Sequence, residues 1–164
     1  MTLQAPTPLA DLHAVESFAC GVASLDDWLK RRARANQAEG ASRTYVLCDN
    51  AEVIGYYAIA SGGIAAADVH GRFRRNMPDP IPVAILGRLA VDARHHGRGI
   101  GRALFRDAAL RLVHAADILG IRGMIVHAIS DEAKTFYQTL GLRPAPHEPM
   151  TLMATLRELR AALD

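Results

Sequence analysis

The chain is poor in cysteine, in metal-binding patterns and in long apolar runs, and each absence excludes a class of protein. Two cysteines in 164 residues form no disulfide framework, so reduced thiols are expected. Seven histidines lack the spacing of a zinc site, so no metal is expected. No apolar run approaches the length of a membrane span, and the first ten residues lack the basic start and apolar core of a signal peptide. We therefore expect one cytoplasmic domain that spans residues 1–164.

Charge of either sign is nearly balanced, which by itself does not indicate a nucleic-acid partner. Nineteen Lys and Arg oppose seventeen Asp and Glu, for a formal net charge of +2. The distribution is more informative than the sum, because cations cluster at residues 30–34 and 72–75. Taken singly, such clusters are most often solvated faces.

Strand-like and helix-like patterns alternate along the chain and predict an α/β fold. In the first half of the chain we predict an edge strand near Ala10 to His13, a helix capped at Ser24 that runs to about Ala38, antiparallel strands 42–48 and 53–60, and a mobile loop 65–82. In the second half we predict a buried strand 85–91, a helix 102–119 and a second buried strand 123–129 that is parallel to the first. A helix 132–140 capped by Ser130 or Asp131, a strand 151–156 and a weakly helical tail complete the prediction.

A glycine-rich turn joins the first buried strand to the helix that follows it. Its residues are Arg94-His95-His96-Gly97-Arg98-Gly99-Ile100-Gly101. Such a turn places backbone N–H groups at a helix N-terminus, where they attract phosphate. The turn lacks the Gly-Lys-Ser/Thr ending of nucleoside triphosphatases and the G-x-G-x-x-G order of dinucleotide folds. It does match Arg/Gln-x-x-Gly-x-Gly/Ala, the pattern with which GNAT-superfamily N-acetyltransferases bind the pyrophosphate of acetyl-coenzyme A.

A tyrosine follows the second buried strand and is a candidate for proton transfer. Tyr137 lies in the helical pattern that begins after Ser130. The carboxyl ends of neighbouring parallel strands border one crevice in an open α/β sheet. A phenol is protonated at neutral pH and can donate its proton to a departing thiolate. A packing role beside Phe136 is the alternative.

The sequence resembles the GNAT superfamily over nearly its whole length, on the turn and on the segment Ala133-Lys134-Thr135-Phe136-Tyr137-Gln138-Thr139-Leu140-Gly141. The segments 18–29 and 35–46 are similar to the amino-terminal half of bacterial GNAT toxins. This resemblance implies a mixed central sheet with splayed parallel central strands flanked by helices. It also implies acetyl transfer from acetyl-CoA to the α-amino group of aminoacyl-tRNA, which inhibits translation, and neutralisation by a ribbon-helix-helix antitoxin.

The resemblance assigns roles to particular residues. The backbone of Leu89, Ala90 and Val91 would bind the pantetheine arm. The pyrophosphate would be held by Arg94, His95, His96, Gly97, Arg98, Gly99, Ile100, Gly101 and Arg102. Tyr137 would protonate the coenzyme A sulfur. No general base is identified.

The basic clusters are predicted to bind the tRNA, through Lys30, Arg31, Arg34, Arg74 and Arg75. A homodimer is expected, and operator DNA would be bound only through the antitoxin complex. Two alternatives stay open: a GNAT acetyltransferase for a small amine or a protein N-terminus, and a coenzyme A-binding module that acts with the antitoxin as a DNA-binding repressor. The basic clusters favour tRNA over a small cationic amine, which they would repel.

Overall fold

Apolar strands and amphipathic helices build a mixed α/β fold in the computed structural model, which describes residues 3–163. The strands are β1 (Thr7–Pro8), β2 (Arg43–Asp49), β3 (Glu52–Ile64), β4 (Ile81–Val91), β5 (Gly123–His127), β6 (Arg143–Pro144) and β7 (Thr151–Thr155). The helices are α1 (Ala23–Arg31), α2 (Ala33–Ala38), α3 (Gly71–Arg74), α4 (Ile100–Ala115), α5 (Asp131–Thr139) and α6 (Leu156–Leu163). No helix within residues 3–163 is long and apolar enough to cross a membrane.

The strands form one seven-stranded sheet in the order β1-β2-β3-β4-β5-β7-β6. β2 and β3 pair antiparallel, as predicted, and the predicted parallel pairing of β4 with β5 is confirmed by the register Ala84 to Met124 and Ile85 to Ile125. The helix between β4 and β5 allows this parallel arrangement, because a parallel pair needs a long crossover connection. β7 then pairs antiparallel with β5.

The chain packs as two compact units, one comprising residues up to 60 with Gly87–Ala108 and the other Ser61–Leu86 with the residues from 109 onward. The core of the first unit is formed by Leu9, Val15, Phe18, Cys20, Leu29, Ala33, Val46, Val53, Tyr56 and Ala90. The core of the second unit is formed by Val69, Phe73, Ile81, Val83, Ile125, Ala145 and Met153. The prediction of a single domain over 1–164 stays a prediction.

Three predictions near the amino terminus are wrong. The edge strand lies at Thr7–Pro8 rather than at residues 10–13. α1 begins at Ala23 after Val22, without a side-chain cap, so Ser24 is not the N-cap. The predicted helix to Ala38 is broken at Arg32, whose φ of −120° departs from helical geometry. The break accompanies tertiary hydrogen bonds from α2, including one from the Gln37 amide to the Leu9 carbonyl (2.9 Å).

The segment 65–82, predicted as a mobile loop, contains ordered structure. A 3-10 turn at Ala66–Asp68 and the short helix α3 bury Val69 and Phe73. Burial of these two apolar side chains supplies the order that the weak periodicity of the segment did not indicate. β4 also begins earlier than predicted, at Ile81.

Candidate coenzyme site

The turn after β4 is held by a buried aspartate. Asp92 is 1% exposed, and its N–H donates to the Ile54 carbonyl of β3 (2.8 Å). Its carboxylate accepts hydrogen bonds from the N–H groups of Arg94 (3.0 Å) and Ala19 (3.1 Å), and it caps the 3-10 turn Ala93–His95. The end of β4 is therefore fixed to β3 and to the segment before α1.

Two glycines bend the chain between this anchor and α4. Gly97 and Gly99 have φ of +78° and +76°, the left-handed region that L side chains rarely adopt. A Cβ on either glycine would meet no protein atom within 4 Å. The backbone conformation therefore requires glycine, and the space beside the turn is open to a ligand. Gly101 differs, because it already lies within α4.

The start of α4 presents backbone donors beside this open space. The N–H of Ala103 donates to the Gly99 carbonyl (3.1 Å). The N–H groups of Ile100, Gly101 and Arg102 precede it in the first turn, where a helix offers them no acceptor. The helix dipole adds positive potential at the same place. The backbone here fits a phosphate ligand.

Arg94 is the first residue of the predicted pyrophosphate pattern, and its guanidinium binds two carboxylates of its own chain. Nε donates to Asp92 (2.9 Å), and Nη2 donates to Glu52 (2.6 Å) and Asp92 (3.3 Å). Burial alone would raise the pKa of Asp92, but the hydrogen bonds from Arg94 and Ala19 lower it to about 2. Hydrogen bonds from Arg94 and Ser17 lower the pKa of Glu52 as well. The side chain of Arg94 therefore anchors the turn to β3.

The other polar side chains of the turn are partly engaged. His96 Nε2 lies 2.7 Å from the Val91 carbonyl, and it must carry the proton because a carbonyl only accepts. Arg98 Nη1 lies 3.3 Å from His95 Nδ1. Of the three residues predicted to bind pantetheine through their backbone, Val91 therefore has its carbonyl occupied. Leu89 is half-buried and Ala90 is buried.

Tyr137 belongs to the second unit and lies near the end of α5. The hydroxyl of Ser130 accepts the N–H of Ala133 (3.1 Å), which confirms Ser130 as the cap of this helix. Tyr137 is 7% exposed and its ring packs edge-on against Phe136, with centroids 5.2 Å apart. Burial raises the pKa of the phenol to about 12. The residue therefore packs and also retains a proton, so both sequence interpretations agree with its environment.

The cations predicted to bind RNA differ in their surroundings. Lys30 and Arg31 are exposed in the last turn of α1. Arg34 is half-buried, and its Nη2 donates to the carbonyls of His13 (2.6 Å) and Ala10 (3.2 Å). Arg74 and Arg75 are exposed near α3, although Arg74 donates to the Val69 carbonyl (3.0 Å).

The orientation of α1 follows from its aromatic residue. Trp28 stacks on Tyr56, with ring centroids 6.1 Å apart and planes 10° apart. The guanidinium of Arg88 lies over the Trp28 ring at 4.3 Å, within cation–π range. These contacts direct the apolar face of α1 to the core and leave Lys30 and Arg31 at the surface.

Sequence reasoning missed Asp92 and Glu52 as parts of the site. For Asp92, the sequence signal is its position directly after an apolar strand and before a basic turn. For Glu52, which is 42 residues from Arg94, the sequence gives no such signal. Within residues 3–163, no group of three or more His, Cys, Asp or Glu side chains is placed to hold a metal ion.

The glycine turn between β4 and α4 and the mixed sheet around it define an acetyl-CoA-dependent acyltransferase fold. Residues 40–144 match the acetyltransferase (GNAT) domain family. The chain belongs to the GNAT acetyltransferase family and is an N-acetyltransferase.

Particular relatives narrow the comparison to toxins that act on tRNA. The chain is 48% identical over 159 residues to the tRNA-acetylating toxin of Mycobacterium tuberculosis, covering 97% of this chain and 96% of the relative. It matches the structure of AtaT complexed with acetyl-methionyl-tRNAfMet, with a TM-score of 0.91 and 26% identity over 99% and 100% of the two chains. A tyrosine-to-phenylalanine mutant of AtaT bound to the C-terminus of the antitoxin AtaR and acetyl-CoA matches with a TM-score of 0.84 and 27% identity, over 98% and 97%.

Proposed function

We propose that this chain transfers the acetyl group of acetyl-CoA to the α-amino group of aminoacyl-tRNA and so stops translation. The 48% identity to a tRNA-acetylating toxin over 97% of the chain carries the proposal. The left-handed glycines at 97 and 99 support the coenzyme part independently, because they leave open the space that a pyrophosphate needs.

The proposed binding mode divides the coenzyme between backbone and side chains. The N–H groups at the start of α4 donate to the pyrophosphate, with Arg98 and Arg102 adding positive charge. Arg94 contributes indirectly, because its ion pairs with Asp92 and Glu52 fix the shape of the turn. Leu89 and Ala90 offer backbone groups to the pantetheine arm.

The transfer itself needs one nucleophile and one proton donor. The neutral α-amine attacks the thioester carbonyl, the C–N bond forms, and the C–S bond then breaks. The amine loses a proton to solvent, the departing sulfur takes the phenolic proton of Tyr137, and Tyr137 then regains a proton from solvent. An α-amine has a pKa near about 8, so a large fraction is already neutral and no protein base is required.

Partners and compartment follow from this substrate. We infer a ribbon-helix-helix antitoxin whose C-terminal segment binds this chain, as the relative AtaT binds the C-terminus of AtaR. A homodimer and contact with operator DNA through the antitoxin belong to the same proposal. Charged tRNA is a cytoplasmic substrate, which places the activity in the cytoplasm.

Translation with pretreated tRNA tests the proposal. Charged tRNA is incubated with this protein and acetyl-CoA and then separated from both. It is supplied to a translation extract that lacks this protein and depends on added tRNA. Incorporation of amino acid should fall relative to tRNA treated with enzyme and no acetyl-CoA. If both preparations support equal incorporation, the chain does not inactivate aminoacyl-tRNA.

A further inference from the structure

The second unit contains an arginine-rich cleft of about 880 Å³. We call it the arginine cleft. It lies at the amino ends of the parallel strands β4 and β5, bounded by the residues after α3 and by α6. Within the described part of the chain, its lining includes five arginines and a single carboxylate: Arg72, Arg75, Arg122, Arg157, Arg160 and Glu158. Cations from three separate parts of the chain therefore meet at one concave surface.

Two of these arginines hold the cleft together. Arg122 donates from Nε to the Phe73 carbonyl (2.7 Å) and from Nη2 to the Arg72 carbonyl (2.6 Å). Arg72 pairs with Glu158 (3.3 Å). Glu158 also accepts the N–H and the hydroxyl of Thr155, both at 3.1 Å. The only carboxylate of the lining among residues 3–163 is therefore already occupied.

Three guanidinium groups remain for a ligand. Arg75, Arg157 and Arg160 are exposed, and none has a hydrogen-bonded or ion-paired partner within residues 3–163. Arg157 and Arg160 are three residues apart on α6, so their side chains share one face of the helix. Among the residues that the structure describes, the unpaired charge of the cleft is therefore cationic.

Two backbone N–H groups of the cleft lining are already bonded within the chain. The N–H of Arg122 donates to the Pro82 carbonyl (2.8 Å), and the N–H of Leu156 donates to the Arg122 carbonyl (3.0 Å). β4 and β5 are interior strands with a neighbour on each side. Within residues 3–163, neither strand offers a free edge there to an added strand.

We propose that Arg75, Arg157 and Arg160 bind backbone phosphates of the RNA substrate in the arginine cleft. The proposal rests on the proposed function, whose substrate is a polyanion, and adds α6 as an RNA-binding element. A guanidinium presents paired donors that match two phosphate oxygens. Contacts of this kind hold the RNA in position without reading its sequence.

The test compares two variants with the same change in net charge. Arg157→Gln/Arg160→Gln removes two positive charges from the cleft. Arg43→Glu, at an exposed position of β2 in the first unit, also changes the net charge by two. Binding of uncharged tRNA is measured across a series of salt concentrations, and calorimetry with acetyl-CoA verifies that each variant is folded.

The cleft variant should lower the salt slope of tRNA binding by about 1.5, because each lost phosphate contact removes roughly 0.7 to 0.9. Arg43→Glu should leave the slope near that of the parent. An unchanged slope in the cleft variant overturns the proposal, and so does an equal decrease in Arg43→Glu. Binding of poly-glutamate is measured on the same variants, and its loss in the cleft variant with an unchanged tRNA slope would assign the cleft to an acidic peptide instead.

Failure of the cleft proposal is distinguishable from failure of the proposed function. Acetylation of charged tRNA by the parent protein is measured in parallel. If the parent acetylates charged tRNA while the cleft variant binds tRNA with an unaltered slope, the function stands and the RNA lies elsewhere. If the parent leaves charged tRNA unmodified, the proposed function is wrong, and the cleft proposal that rests on it is withdrawn.

Discussion

At the scale of single residues, Tyr137 combines packing with a retained proton. Its ring is buried against Phe136, and burial raises the pKa of its hydroxyl to about 12. Burial therefore ensures that the acid form is present over the working pH range.

Replacement of Tyr137 by Phe should lower acetyl transfer by about two orders of magnitude, the usual contribution of a general acid. The rate of the parent should not fall with rising pH through ionisation of Tyr137 across the neutral and moderately alkaline range, because the phenol stays protonated. Steady-state kinetics and calorimetric binding of acetyl-CoA measure both effects. Unaltered turnover with normal coenzyme binding would leave Tyr137 as a packing residue only.

Asp92 is the residue on which the shape of the coenzyme turn depends. Asp92→Asn should destabilise the protein at neutral pH by about 2 kcal/mol, since a buried acceptor of charge-assisted hydrogen bonds becomes a partial donor. The folded-state pKa of about 2 lies below the unfolded value, so the stabilisation exists above an unfolded pKa of about 3.9 and is lost as the pH falls toward the folded value. The difference between parent and variant should therefore shrink in acid.

Urea unfolding at a series of pH values measures this difference. Glu52→Gln is the matched control, because it removes the negative charge of the more exposed carboxylate paired with the same arginine and should cost clearly less than Asp92→Asn. Equal losses for the two variants would show that the buried carboxylate has no special role in holding the turn.

At the scale of elements, the turn between β4 and α4 was predictable because its chemistry is local. Gly97 and Gly99 are close in sequence to the strand before them and the helix after them, so pattern and function coincide. The break at Arg32 was not predictable, since it accompanies hydrogen bonds from α2 to residues more than twenty positions away. The prediction of a mobile loop at 65–82 was wrong for a related reason, because Val69 and Phe73 pack in a core with residues far away in the sequence.

Gly99→Ala should weaken acetyl-CoA binding by at least about tenfold, the equivalent of one charge-assisted hydrogen bond to phosphate. Gly40→Ala is the matched control, because Gly40 has φ of +79° and a Cβ there meets no atom within 4 Å. Both variants should lose about 1 kcal/mol of stability through left-handed strain. Calorimetry should show the binding loss only for Gly99→Ala, and equal binding by the two variants would contradict the assigned turn.

At the scale of the whole molecule, net charge conceals where the cations are available. The formal charge of +2 gave no indication of an RNA-binding surface. The basic clusters in the sequence predicted Arg34 as an RNA contact, whereas its guanidinium donates to two backbone carbonyls in the structure. Arg122, Arg157 and Arg160 lie outside those clusters and meet Arg72 and Arg75 only in the folded chain. The superfamily was recognisable from sequence, whereas the distribution of unpaired cations required the fold.

Lys30→Gln/Arg31→Gln should flatten the salt dependence of tRNA binding by about 1.5, because the two exposed cations of α1 can each release counterions. Amino-acid preference should survive, since phosphate contacts carry little sequence information. Arg34→Met should instead lower the free energy of unfolding, with little change in the salt slope. A larger slope change for Arg34→Met than for the pair would restore Arg34 as an RNA contact.

The most direct measurement identifies the atom that receives the acetyl group. Total charged tRNA is incubated with the protein and isotopically labelled acetyl-CoA, digested with nuclease and examined by mass spectrometry for the aminoacyl-adenosine fragment. We predict labelled acetyl on the α-amino group of that fragment, and much less of it with Tyr137→Phe. An unlabelled aminoacyl-adenosine fragment after incubation with the parent protein would contradict this prediction.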